Sequence, residues 1–292
     1  MYKKKIVGIV LTLILLAGVL SACSTKKATD NGQANQTEVT PTSAVEATDT
    51  EASDEKEKNL LTQIQEAGKL TIGTEGTYAP YSYHDETGEL VGYDVEIGKA
   101  IAEKLGVEAE FVETNWDSLI AGIDVNRYDI VMNQVSITEE RLAKYDFSTP
   151  YTVTNAVLIV GKDNNELKTF EELKGKIAAQ SLTSNYGALA ESFGAEIIST
   201  DGMFSKAIEL VSTGRADATI NDEASFYDYL KQQPDAAVKT VAELDEASEN
   251  AVLIRKGNET FVAAVNKALE ELTQDGTLAE ISDKYFGADI SK

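Results

Sequence analysis

Residues 90–112 read LVGYDVEIGKAIAEKLGVEAEFV and contain two periodic patterns in direct succession. Over residues 95–105 apolar side chains recur at helical spacing, and over residues 107–112 they alternate with polar ones as in a half-buried strand. A helix that leads into a strand is the repeating unit of proteins in which helices cover a parallel sheet. The segment therefore predicts an α/β fold.

The same alternation continues on both sides of this segment. The further predicted strands are Lys69–Thr74, 130–132, 156–160, 176–179, 196–199 and 216–221. The further predicted helices are 116–123, 169–173, 184–192, 204–213, 224–231 and 260–286. Such an order predicts sheets with largely parallel strands.

The order of the elements predicts two lobes. The chain is expected to enter the second lobe near residues 150–160 and to return near the strand-like run AVLI at 251–254. We assign residues 59–153 plus 252–292 to lobe 1 and residues 154–251 to lobe 2. The last helical segment should pack on lobe 1, and two crossing strands would form a hinge.

Composition excludes several classes of function. The chain has 292 residues, with 49 acidic and 26 basic side chains and a net charge of −23, which argues against nucleic-acid binding. One Cys excludes an internal disulfide, and one His, His84 in a predicted surface turn, excludes multi-histidine zinc sites. Neither Asp124-Val125-Asn126 nor Asp201-Gly202 matches a calcium loop. We predict no metal and no cofactor.

The N-terminus has the pattern of an export signal. Three lysines at 3–5 precede an apolar run of about 15 residues, shorter than the roughly 20 that span a bilayer. An uncleaved membrane anchor is the alternative. The sequence LSAC at 20–23 resembles the lipobox of bacterial lipoproteins, which implies a signal peptide at 1–22 and a lipid anchor on Cys23. Residues 23–58 are almost free of large apolar side chains, which predicts a disordered tether.

Several separated motifs carry a resemblance to a known family. They are GYDVEI (92–97), TEGTYAPY (74–81), SITEER (136–141), YDFSTPY (145–151) and GRADA (214–218). In this order they resemble family 3 solute-binding proteins, the extracellular amino-acid receptors of ABC importers. The resemblance implies the two-lobed periplasmic-binding-protein fold of type II. The stretches NQVSIT (133–138) and QSLTSNY (180–186) look closest to the cystine-binding branch, which adds Asn133 and Gln180 to the candidate ligand contacts.

The candidate charged contacts are one arginine and one aspartate. Arg141 offers a planar fork suited to an α-carboxylate, which is the family role at this position. Without the resemblance, a surface arginine in a charged run is the simpler interpretation. Asp222 follows a predicted buried strand and is the candidate partner of the α-ammonium group. It could equally cap the next helix, or do both.

Polar and aromatic candidates complete the predicted site. Thr183 and Ser184 open a predicted helix, whose free N–H groups suit a carboxylate, although Thr183 could be a simple N-cap. Gln134 and Ser136 would add hydrogen bonds, although Ser136 could be only a turn former. Tyr78 and Trp116 follow predicted strands on loops; Trp116 also begins the predicted helix 116–123 and could instead be a core residue. The last candidate is Glu75, at an acidic family position, where it would either contact the ligand or organise the loop.

The expected function is an exported, lipid-anchored receptor on the outer face of the cell membrane. It would be a monomer, bind a free amino acid with cystine favoured, close its lobes and dock on an ABC permease. It would touch the membrane only through the lipid on Cys23. Glutamine or another polar amino acid is the alternative ligand. A dehydratase that uses Glu75 and Asp222 is the enzymatic alternative, and a sensor ectodomain is a third class.

Overall fold

The structure is a computed structural model that describes residues 59–291, so the predicted signal peptide, Cys23 and the tether lie outside it. Its helices are α1 (Leu60–Ala67), α2 (Tyr93–Leu105), α3 (Trp116–Asp124), α4 (Glu139–Lys144), α5 (Asn185–Ser192), α6 (Phe204–Ser212), α7 (Glu223–Gln232), α8 (Glu259–Gln274) and α9 (Thr277–Phe286). A 3₁₀ turn spans Phe170–Leu173. No helix among these residues is both long and apolar enough to cross a membrane.

The strands alternate with these helices along most of the chain. They are β1 (Lys69–Thr74), β2 (Thr77–Tyr78), β3 (Ser82–His84), β4 (Leu90–Val91), β5 (Glu108–Glu113), β6 (Ile130–Val131), β7 (Tyr145–Phe147), β8 (Thr152–Thr154), β9 (Ala156–Gly161), β10 (Ile177–Gln180), β11 (Glu196–Ser199), β12 (Ala218–Asp222), β13 (Val238–Glu243), β14 (Ser248–Asn250) and β15 (Leu253–Arg255). The α/β class expected from the sequence is confirmed.

Two five-stranded sheets form the centres of the two lobes. The strand order is β5-β1-β6-β15-β7 in lobe 1 and β11-β10-β12-β9-β13 in lobe 2. In each sheet four strands share one direction and the fourth in order, β15 or β9, runs opposite to its neighbours. The reversed strand is in each case one that the chain enters directly after crossing between the lobes. The expectation of largely parallel sheets therefore holds with one exception per sheet.

The two crossings lie side by side. Strand β8 carries the chain out of lobe 1, β14 brings it back, and the two pair antiparallel, with Ser248 opposite Thr154 and Asn250 opposite Thr152. The short strands β7, β8, β13 and β14 and the helices α1 and α4 were not predicted from the sequence. Segments of three to eight residues give too few periods for pattern analysis.

Both sheets are covered on both faces, which accounts for their nearly continuous apolar strands. In lobe 2, Leu158 packs with α5 and the 3₁₀ turn, whereas its neighbour Ile159 packs with α6 and α7. In lobe 1, Ile130 faces α1, α2, α8 and α9, and Val131 faces α3. The C-terminal helices thus pack on lobe 1, as expected.

Candidate functional site

The predicted site residues converge where the lobes face each other. An inner cavity is lined by Glu75, Tyr78, Trp116, Asn133, Gln134, Gln180 and Ser184, together with residues not predicted. An outer cavity is lined by Arg141 and Thr183, and Trp116 and Ser184 border both cavities. Ser136 and Asp222 line neither, but each bonds to a residue across the cleft.

Asn133 organises the end of β1. Its Oδ1 accepts hydrogen bonds from the Thr74 hydroxyl at 3.0 Å, the Glu75 amide at 2.9 Å and the Ser82 hydroxyl at 3.0 Å. Its Nδ2 donates to Glu75 Oε2 at 2.6 Å. The side-chain amide therefore fixes the position of the Glu75 carboxyl group.

Glu75 carries the carboxyl group of the inner cavity, and it is 7% exposed. Burial raises the pKa of its carboxyl group to about 7, although hydrogen bonds from Asn133 and from the Trp116 amide oppose the rise. Near neutral pH the group can therefore be either an acid or an anion, depending on what lies next to it.

Gln134 adopts a left-handed conformation, with φ +51°, which is uncommon for a residue other than glycine. Asp94, from the GYDVEI motif and fully buried, accepts from the Gln134 amide at 2.8 Å and from Nε2 at 2.6 Å. Burial raises the pKa of Asp94 to about 7, and these two bonds oppose the rise. Asp94 thus holds the backbone of the loop at residues 133–136 in place.

Arg141 lies on α4 and is held by the loop that precedes this helix. Its Nη1 donates to the Ser136 carbonyl at 2.9 Å, and its guanidinium lies 5.5 Å from the centre of the Trp116 ring. Burial lowers the pKa of Arg141 to about 10, so it remains charged at neutral pH. Within residues 59–291 no acidic side chain forms an ion pair with it. The surface-arginine alternative does not fit a residue that is 8% exposed.

The two aromatic candidates lie on regular elements, which the predicted helix 116–123 anticipates for Trp116, whereas a loop was expected for Tyr78. Trp116 is the first residue of α3 and Tyr78 belongs to β2. Trp116 is both a core residue and a cavity wall, and its indole Nε1 has no hydrogen-bond partner among the described residues. The Tyr78 hydroxyl donates to Asn221 Oδ1 in lobe 2 at 2.8 Å.

In lobe 2, Ser184 and not Thr183 is the N-cap of α5, since its Oγ accepts from the Gly187 amide at 2.9 Å. The Thr183 hydroxyl instead donates to Asp117 Oδ1 of lobe 1 at 2.9 Å. Gln180 is buried and donates from Nε2 to the Ile220 carbonyl at 3.0 Å.

Asp222 is the N-cap of α7, where Oδ1 accepts from the Ala224 amide at 3.0 Å. The same oxygen accepts from the Tyr81 hydroxyl of lobe 1 at 2.7 Å. Burial raises the pKa of Asp222 above its usual range. The capping role and a position at the lobe interface therefore coexist.

Sequence reasoning missed several residues that join the lobes. Asp117 accepts from Ser181 and Thr183, Asn185 Nδ2 donates to Ser136 Oγ at 3.3 Å, and Asn221 accepts from Tyr78. Asn250, on β14, donates from Nδ2 to Gln134 Oε1 at 3.0 Å and accepts from Ser136 Oγ at 2.8 Å. Its adjacency to the cleft depends on the second crossing, which no local pattern reveals.

The described residues contain no group of three or more His, Cys, Asp or Glu side chains placed to hold a metal ion. The arrangement in the cleft is instead a set of single polar groups from both lobes around two cavities. Such a set can surround a small zwitterion and exclude water from it.

Known proteins resemble the chain over three quarters or more of its length. The L-cystine-binding protein TcyA of Bacillus subtilis (strain 168) is 46% identical over 238 residues, which cover 81% of this chain and 88% of TcyA. The solved L-cystine solute receptor of Neisseria gonorrhoeae, in its unliganded open conformation, is 46% identical with a TM-score of 0.53, covering 80% of this chain and 99% of that one. An ancestral arginine-binding protein bound to arginine is 39% identical with a TM-score of 0.71, covering 75% and 99%.

The less similar sequence thus gives the better structural match. Hydrogen bonds between the lobes indicate that they are closed in this chain. The lower TM-score of the gonococcal receptor is therefore expected, because that structure is in an open conformation. The family model of the bacterial extracellular solute-binding proteins, family 3, matches residues 70–288. The chain belongs to this family.

Proposed function

We propose that the chain is the extracellular receptor of an amino-acid ABC importer and that it captures its ligand by lobe closure. One observation carries the proposal: Arg141 is buried at the cleft without an anionic partner among residues 59–291. A buried, unpaired cation is costly, and the carboxylate of a free amino acid would supply the missing charge. The closed receptor then docks on a permease.

The other contacts follow from the three parts of an amino acid. Arg141, Ser136 and the N-terminus of α5 at Thr183 and Ser184 face the carboxylate. Asp222 binds the ammonium group, displacing the Tyr81 hydroxyl or sharing its carboxylate with it. The ligand side chain enters the inner cavity, whose predicted lining residues are Glu75, Tyr78, Trp116, Asn133, Gln134 and Gln180.

Cystine is the favoured ligand. Two of the similar proteins are named for cystine, and cystine has a second ammonium group at the far end of its side chain. Glu75 is the acidic residue in the wall of the inner cavity, and a cation beside it would favour its ionised form. Glutamine, whose side chain is neutral, would leave Glu75 without such a partner.

Titration calorimetry of the wild-type protein tests the ligand. We expect cystine to bind near 1 μM, about −8 kcal/mol. S-methylcysteine, which has one amino-acid head and a thioether in place of the disulfide, should bind at least about tenfold more weakly. Tight binding of glutamine with no binding of cystine would refute the cystine assignment. If no free amino acid binds, the receptor assignment itself fails.

Catalysis is the competing function, because a carboxyl group with a pKa of about 7 suits a general acid. We propose that the chain is not an enzyme, since similar proteins are named as a cystine-binding protein and a cystine receptor, and Asp222 is assigned to the ammonium group of the ligand. Incubation with a prephenate-like substrate should give no product, and turnover that Glu75→Gln abolishes would contradict the proposal.

The domain limits and the location are part of the same proposal. Residues 59–153 plus 252–292 form lobe 1 and residues 154–251 lobe 2, which agrees with the membership of the strands in the two sheets. Family membership implies export, and we propose a monomer held at the outer face of the membrane by a lipid on Cys23. Cys23→Ser should release the protein into the medium. A lipid that mass spectrometry finds on a residue other than Cys23 would contradict the proposal.

A further inference from the structure

Asp117 is an acidic side chain of lobe 1 that bonds to lobe 2. It lies in the first turn of α3, and its Oδ1 accepts from the Ser181 hydroxyl at 2.5 Å and from the Thr183 hydroxyl at 2.9 Å. The Thr183 amide adds a third, longer bond at 3.4 Å. Within residues 59–291, every hydrogen bond accepted by this carboxylate comes from lobe 2.

The position of Asp117 separates it from the interlobe contacts of Tyr78, Ala79 and Tyr81, whereas one further interlobe bond joins Asn185 of α5 to Ser136. Tyr78, Tyr81 and the Ala79 carbonyl all bond to the end of β12 and the start of α7. Asp117 instead bonds to the loop before α5, which we propose to face the ligand carboxylate. Its acceptor is a carboxylate, and hydrogen bonds to a carboxylate are shorter and stronger than those between neutral groups.

From this geometry we infer that Asp117 is a positioning residue, an interlobe latch that stabilises the closed state and aligns Thr183 at the ligand. The inference rests on the proposed function for its effect on binding, whereas the hydrogen bonds of the latch join protein groups only. A contact made only after closure stabilises the closed state and not the encounter complex. Loss of the latch should therefore speed ligand release and leave association nearly unchanged.

The opposite interpretation makes a different prediction. If the Asp117 carboxylate merely occupied donors that the ligand carboxylate needs, its removal would tighten binding. The sign of the change in affinity therefore decides between a latch and an internal competitor.

The test compares Asp117→Ala and Asp117→Asn with Asp124→Ala. Asp124 lies at the other end of α3 and bonds to Tyr145 within lobe 1, at 3.0 Å, so the control removes a carboxylate from the same helix without touching lobe 2. Two readouts are needed. Acrylamide quenching of Trp116, the only tryptophan of the chain, reports lobe opening in the ligand-free protein, and stopped-flow binding of cystine and glutamine gives the two rates.

We expect Asp117→Ala to raise the quenching of Trp116 and to increase the ligand off-rate about tenfold, with the on-rate within about twofold of wild type. Asp117→Asn, which keeps an acceptor without the charge, should lie between. Asp124→Ala removes a carboxylate that also lines the outer cavity, so it is the control for lobe opening and should leave the quenching of Trp116 unchanged. Unchanged quenching and off-rate for both Asp117 variants, or tighter binding, would overturn the latch. If wild type bound neither amino acid while Asp117→Ala still raised quenching, the receptor proposal would fail and the latch would stand.

Discussion

The two loops that face the ligand are built in different ways. In lobe 1, residues 133–136 are buried, and Asp94, Asn250 and the Thr74 hydroxyl hold them through side-chain hydrogen bonds. In lobe 2, Leu182 and Thr183 are exposed, and the loop's contacts across the cleft are to Asp117 and Ser136. The first loop keeps its shape through contacts around its own lobe and the hinge, whereas the second is completed by closure.

This difference indicates an order of events. A preorganised loop spends little entropy on binding, so lobe 1 should make the first contact and supply most of the affinity. The loop of lobe 2 then contributes only in the closed state. Substitutions in lobe 1 should consequently cost more than substitutions in lobe 2, and the following experiments test that ranking.

The largest effect is expected for Arg141→Ala. Losing a buried, charge-assisted pair with the ligand carboxylate should weaken binding by at least about 100-fold, close to 3 kcal/mol. Thr183→Val, in lobe 2, should weaken it no more than about fivefold, since one partly exposed hydroxyl is lost. Calorimetry with cystine measures both. Equal losses of affinity, or a larger loss for Thr183→Val, would contradict the expectation that lobe 1 supplies most of the affinity.

Asp94→Asn should break the preorganised loop itself. The asparagine NH₂ would face one of the two donors of Gln134, and the left-handed backbone there would lose its support. We expect the free energy of unfolding to fall by about 2–3 kcal/mol in urea titrations. Glu103→Gln, on the exposed face of the same helix, is the control that should stay near wild type. An undiminished stability would mean that Asp94 does not hold the loop.

Gly202→Ala should hinder closure on the lobe 2 side. A Cβ at Gly202 would lie 2.9 Å from the Trp116 amide nitrogen and 3.0 Å from its Cβ, and φ is +86°. Gly214→Ala has the same backbone strain, at φ +71°, with no atom near the new methyl group. Both variants should lose similar stability, but only Gly202→Ala should weaken cystine binding, by about tenfold (about 1.4 kcal/mol). Equal affinities would argue that this contact does not limit closure.

The smallest effect concerns pH and Glu75. Since its folded pKa of about 7 lies above the usual value, the folded state holds more protons than the unfolded state, and stability is lost as pH rises through 7. Between pH 6 and 8 this group should remove about 1 kcal/mol from the ligand-free protein. In urea titrations Glu75→Gln should lack this contribution of about 1 kcal/mol. Its stability should still depend on pH, because the pKa of Asp94 is also about 7. An unchanged slope in Glu75→Gln would show that Glu75 is already ionised.

Much of this site could be predicted from the sequence because the sequence pattern shows where strands end. Gln134, Ser136, Gln180 and Asp222 lie at or just after the ends of predicted buried strands, and helix and strand periods place those ends within a few residues. The outer strands and the hinge could not be found in the same way. Strands β8 and β14 are three residues each and are stabilised by pairing across about 95 residues of chain.

The sequence alone was enough to predict the α/β class, the two lobes, the family and most of the polar groups of the cleft, because periodic patterns and short motifs are local properties. Tertiary structure alone decided which groups meet. It placed Asp117 against Ser181, Tyr81 against Asp222 and Asn250 against Gln134, over 64, 141 and 116 residues of sequence respectively. It also decided the burial that raises the pKa of Glu75, which lies in the wall of a cavity lined from both lobes.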